Sequence, residues 1–121
     1  MAVTYILESE KIAASALRCG EQIFTGPTHF AAMHKIIGLP VSAEQKAQMM
    51  LDAVDGFVTD AGRFVTREEG YAIAKGVGQI GGDLADPVKN KAFYGGSEPR
   101  LDSGMVESMA PFKVQLSANF L

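Results

Sequence analysis

The most constraining stretch of the chain is residues 56–80, GFVTDAGRFVTREEGYAIAKGVGQI. Asp60-Ala61-Gly62 suits a three-residue hairpin loop, because Gly62 can take the left-handed conformation that closes such a turn. That loop sets a register with Val58 opposite Phe64 and Phe57 opposite Val65. Side chains alternate across a strand, so the two phenylalanines point to opposite faces of the ribbon. Thr66 with Glu69 three residues on forms a capping box, which starts a helix directly behind the second strand. Gly70, Ile73, Ala74, Val77 and Ile80 make its apolar stripe, and Gly81-Gly82 stops it.

Upstream, EKIAASALR (10–18) and EQIFTG read as a first hairpin turned across Cys19-Gly20, with a short helix as the alternative for the alanine-rich run. GPTHFAAMHKIIG reads as a helix with Pro27 near its first position, Gly38 beyond its end, and a stripe of Phe30, Met33 and Ile37. After Pro40, Ser42 and Gln45 form another capping box. The helix it opens carries Ala47, Met50, Leu51 and Val54 as its core stripe and ends at Asp55-Gly56. From Asp83 the chain turns rich in Gly, Pro, Asp and Ser, and 83–110 reads as a long irregular loop. Phe112, Val114 and Leu116 alternate with polar residues, so 111–121 is expected to be a C-terminal strand. The fold expected is α+β: a single domain over 1–121, with a small antiparallel sheet built from two hairpins plus the C-terminal strand. Three helices are expected on one face of that sheet.

Composition narrows the function. With 121 residues and 47% hydrophobic content the chain can fill one modest core. A net charge of −3 offers a nucleic-acid duplex little attraction, though two or three placed cations suffice for a small phosphorylated ligand. No apolar run approaches a membrane span. No basic residue precedes the first apolar stretch, and Glu8 and Glu10 follow it, so no signal peptide is expected. Cys19 is the sole cysteine, which excludes an internal disulfide or a cysteine-based metal site and suits a reducing cytoplasm.

No catalytic constellation is legible. Glu68 and Glu69 lack further carboxylates one turn on, and their place at a helix start explains them better than a metal does. His29 and His34 diverge by about 140° on a helix and cannot share a metal. GVGQIGG closes a helix where a phosphate loop would open one. A non-enzymatic binding protein with no cofactor and no metal is expected. Phe57 or Phe64 must face away from the core, and Arg63 and Arg67 flank the same turn. An aromatic and a guanidinium together can clasp a nucleotide, against the plainer reading of a surface ribbon with solvated arginines. His29, in the first helical turn beside Thr28, lies where an anion can bind.

GFVTDAGRFVTREEGYAIAKGVGQI, with the upstream FTGPTHFAAM, resembles the signature of small phage-encoded proteins that include the Thoeris anti-defence proteins of the first type. The resemblance covers residues 10–82 and implies a sponge that binds a cyclic ADP-ribose-type signal whole, at a subunit interface, without degrading it. Some relatives also hold cyclic oligonucleotides. It implies that Phe57 or Phe64 stacks on adenine, that Arg67 contacts pyrophosphate or ribose, and that Thr66 hydrogen-bonds nearby. His29 would face the phosphates and Arg100 would close the pocket from the long loop. Thr28 stands where the family often has arginine, and RLDSGMVESMAPF replaces its usual C-terminal ending. A homodimer or larger homo-oligomer is expected, with no duplex nucleic acid or membrane as partner. The alternatives are a nucleotide-processing hydrolase, or a phage interaction module with no small ligand.

Overall fold

The computed structural model describes residues 10–112. Two antiparallel hairpins form one four-stranded sheet in the order β2-β1-β3-β4: β1 is Ile12–Cys19, β2 Gln22–Gly26, β3 Val54–Thr59 and β4 Phe64–Thr66. Four α-helices are present among the described residues: α1 His29–Ile37, α2 Ala43–Asp52, α3 Arg67–Gly76 and α4 Pro87–Tyr94. The expected α+β class therefore holds, with one helix more than expected. The C-terminal strand expected over 111–121 lies almost wholly outside the described residues.

The second hairpin forms as its local chemistry dictates. Gly62 closes the turn at φ 88°, and Val58 pairs with Phe64 and Phe57 with Val65. Thr66 then caps α3, with Glu69 completing the capping box. Ile12, Phe57 and Val65 project from one face of the sheet and meet Tyr71 and Ala74 of α3, together with Leu101 and Met105. Leu17 and Phe24, on the same face, meet Ala32 and Ile36 of α1. Fully burying a side chain such as Phe24 or Phe57 stabilises by roughly 1.5–3 kcal/mol, so these two clusters dominate the packing of helices on that face.

At the free end of β1, the Gln79 side chain does the work of a strand. Its Oε1 accepts from Ile12 N–H at 2.7 Å while its amide nitrogen donates to Ile12 C=O at 2.9 Å and to Ser108 C=O at 3.0 Å. β2 pairs with β1 only from Ser15 onward, so Gln79 satisfies the Ile12 N–H there, while the Ile12 carbonyl also accepts from Ala110 N–H at 2.9 Å.

Several expectations are corrected. α1 buries Ala32 and Ile36, and the expected stripe of Phe30, Met33 and Ile37 leaves Phe30 65% exposed. α1 packs tightly on β2 at Gly26, where a Cβ would come within 2.8 Å of Ala31 Cβ. α2 buries no residue fully: Met49 and Met50 only flank the second cluster, and Leu51 is 80% exposed. It also ends earlier than expected, because Arg18 pairs with Val54 and Leu17 with Asp55. Those pairings draw Val54, Asp55 and Gly56 into β3. α3 ends at Gly76, before the Gly81-Gly82 stop, and Tyr71 joins its buried face.

The long loop expected over 83–110 contains α4. Asp86 caps it by accepting from Lys89 N–H, Pro87 occupies its first turn and Gly95 ends it. Its buried residue is Asn90, which anchors the chain on both sides. The Asn90 amide donates to Leu84 and Arg100 carbonyls, and its oxygen accepts from Arg100 N–H, all at 2.9 Å. That clamp returns the following segment to the sheet.

Candidate functional site

Arg67 is the first residue of α3, placed by the Thr66 cap where β4 passes into the helix. Its side chain is only 16% exposed and gathers partners from three segments. Nη2 donates to Asp55 Oδ2 of β3 at 3.1 Å, and Nη1 donates to the Leu101 carbonyl at 2.8 Å and faces Asp102 Oδ1 at 3.6 Å. Leu101 N–H donates in turn to the Arg67 carbonyl at 2.9 Å, so residue 101 is held from both sides. Nε is buried with no hydrogen-bond partner among the described residues.

His29 lies beside this guanidinium. A backbone carbonyl can only accept, so the 2.7 Å contact between Nε2 and Gly56 C=O puts the proton on Nε2. Nδ1 is then the acceptor. It receives the Ser103 hydroxyl at 2.9 Å and faces Arg67 Nη2 at 3.4 Å. Ser103 Oγ, having donated its proton, accepts from Ser15 Oγ at 2.7 Å. Burial holds the His29 pKa below its ordinary value. The Gly56 hydrogen bond opposes that, the Arg67 charge adds to it, and Asp55 and Asp102 oppose it. The imidazole is therefore neutral near pH 7, and it ties α1, β3, β1 and the 101–105 segment together.

Two hollows open beside this network. One, of about 340 Å³, is lined by Thr66, Arg67, Glu68 and Arg100 with Asp55 and Ala53. The other, of about 380 Å³, is lined by His29, Leu17, Phe30, Met33 and Met50, again with Asp55 and Ala53. The first is cationic on two sides and carries two carboxylates; the second is mostly apolar. Ala53 and Asp55 line both. Thr28 stands exposed at the start of α1, where its hydroxyl accepts from Ala31 N–H at 3.0 Å as an N-cap.

Thr66, Arg67, Arg100 and His29 are thus brought together, while Thr28, which lines neither hollow, and Phe57, Phe64 and Arg63 do not join them. Phe57 is fully buried beneath His29, the ring centroids 5.0 Å apart and edge-to-face, so it has no face free to stack on a ligand. This corrects the expectation for that ring. Phe64 projects from the opposite face of the sheet. Its ring lies across Gly56, where a Cβ would come within 2.6 Å of it, and Arg18 sits over the ring at 4.8 Å. Arg63 points to a different end of the hairpin and makes a two-pronged pair with Glu10, at 2.8 and 3.0 Å.

Sequence reasoning missed Asp55 and Ser103 as members of the site. By sequence Asp55 reads as a helix end, and the pairing with Leu17 that places it in β3 is a non-local fact. Ser103 meets His29 across 74 residues of sequence. Among the described residues no group of His, Cys, Asp and Glu side chains could hold a metal, and no helix is long and apolar enough to cross a membrane.

A family model described as "Phage T4 y16D protein" matches residues 11–95. That span holds both hairpins and all four helices, well over half of the chain, so the chain belongs to this phage protein family. No curated protein and no solved structure matches.

Proposed function

We propose that this phage protein binds a cyclic ADP-ribose-type nucleotide signal and holds it undegraded in the host cytoplasm, as an anti-defence sponge. One observation carries the reading: a hollow flanked by Arg67 and Arg100 shares Asp55 with an apolar hollow. A nucleotide has the same two-part character, a flat purine at one end and phosphates at the other. Guanidinium groups suit the phosphates. Phe30, exposed at the rim of the apolar hollow, offers the purine a ring in place of the buried Phe57. Asp55 and Glu68 offset the two arginines, which favours a ligand of one or two phosphates over a polyanionic strand. We further propose that copies of the chain associate, covering Leu51 and closing the hollows.

The hydrogen bond from Ser103 to His29 favours a second reading, a nucleotide hydrolase with Ser103 as nucleophile. Arg67 faces the same ring nitrogen, however, and opposes the proton uptake that a general base needs. Sequestration is therefore the stronger reading. Native mass spectrometry with a panel of cyclic nucleotides, followed by heat denaturation and chromatography of the released ligand, tests it. Recovery of unaltered cyclic ADP-ribose isomer supports a sponge, and recovery of a cleaved product would indicate the hydrolase. Absence of any bound nucleotide would leave an interaction module and defeat both.

A further inference from the structure

We propose that Asp55 is a specificity-determining residue that reads a ribose hydroxyl pair beside both hollows, so that the protein accepts ribonucleotides and discriminates against their deoxy counterparts. This rests on the nucleotide-binding reading above.

The argument begins with position. Ala53 and Asp55 are the residues common to the linings of both hollows, and only Asp55 brings a polar side chain there. Asp55 therefore stands beside both hollows, within reach of a ligand that occupies the two together. In a nucleotide the group between base and phosphate is the sugar.

The second step is charge. A carboxylate 51% exposed inside a hollow suited to anions weakens phosphate binding by repulsion. Ionised carboxylates only accept hydrogen bonds, and a ribose cis-diol offers two hydroxyl donors. Dinucleotide-binding folds use an acidic residue on the ribose for the same reason. The third step is rigidity. Asp55 is held in β3 by its pairing with Leu17, and Arg67 Nη2 fixes its Oδ2 at 3.1 Å. An acceptor already oriented costs a ligand little ordering entropy.

Isothermal titration of the full chain decides the matter, using cyclic ADP-ribose, its 2′-deoxy analogue and inorganic pyrophosphate as probes. A hydrogen bond to a charged group implies that the wild-type protein binds the ribose form about tenfold more tightly than the deoxy form. In Asp55→Asn that preference should fall severalfold, while pyrophosphate binding holds or strengthens because a negative charge has gone. The ribose preference therefore falls while pyrophosphate binding does not. A preference unchanged in Asp55→Asn, or a variant that tightens on all three probes alike, overturns the assignment. Should Asp55→Asn fail to fold, the wild-type ratio decides alone, and a ratio near one sinks the proposal. If the wild-type protein binds neither cyclic nucleotide, the nucleotide reading itself has failed, and this inference falls with it.

Discussion

The second hairpin carries two phenylalanines and two arginines, and the fold divides them into an inner pair and an outer pair. Phe57 and Arg67 face inward, one sealed under His29 and the other joined to β3, α1 and the 101–102 segment. Phe64 and Arg63 face outward, one lying over Gly56 beneath Arg18 and the other bound to a single carboxylate. Identical residue types a few positions apart thus have unlike roles. The alternation of the ribbon sets the split for the aromatics, and the helix cap at Thr66 sets it for the arginines.

The sharpest way to break this division is to truncate the rings. Phe57→Ala removes a fully buried side chain from the larger core cluster and should cost about 3–5 kcal/mol, read as a shift in urea midpoint. Phe64→Ala removes a half-buried ring and one cation–π contact, for about 1 kcal/mol. Equal losses would show that the outer ring is as structural as the inner one. Next in size is Arg67→Ala. It strands the Leu101 carbonyl and unpairs two half-exposed carboxylates, which should cost about 2–3 kcal/mol, less than a fully buried pair would. Arg67→Lys, with its point charge and no fork, should recover only part of that loss.

The inner pair was only half legible in the sequence. The Gly62 turn and both capping boxes depend on residues within four positions of each other, and the hairpin register follows from that turn, so local chemistry of this kind survives tertiary context. The helix at 87–94 was obscured because its buried residue is Asn90, which leaves no apolar periodicity to read. Its signals were there in Asp86-Pro87 and Gly95, inside a segment whose composition suggested a loop. The site depends on contacts that no local pattern encodes: Asp55 enters a strand because β1 pairs with it, and Ser103 reaches His29 only after Asn90 and Arg67 turn the chain back.

His29 supplies a prediction on the inner side that needs no ligand. Its folded-state pKa lies below the ordinary value of 6.5, chiefly through desolvation. The folded state therefore binds its proton less readily than the unfolded state does, and stability is full above pH 6.5. It declines as pH falls from there through the folded pKa. Urea midpoints of the wild type should drop between pH 7.5 and pH 5 by more than those of His29→Gln. A parallel decline in both would place the acid sensitivity elsewhere.

The smallest effect belongs to the outer arginine. Arg63 is 55% exposed, and its bonds to Glu10 are open to screening by salt, so Arg63→Ala should cost well under about 1 kcal/mol. The hydrogen bond from Arg63 still holds the Glu10 carboxyl below its usual 4.5. That contribution is present above the unfolded pKa of about 4.5 and is lost as pH falls through the folded value. The wild-type advantage over Arg63→Ala should therefore vanish once pH falls below the folded pKa of Glu10, and shrink in high salt. An advantage that persisted through acid and salt, or that rivalled Arg67→Ala, would mean that the exposed guanidinium also packs its stem against the hairpin. The contrast between inner and outer arginine would then be one of degree.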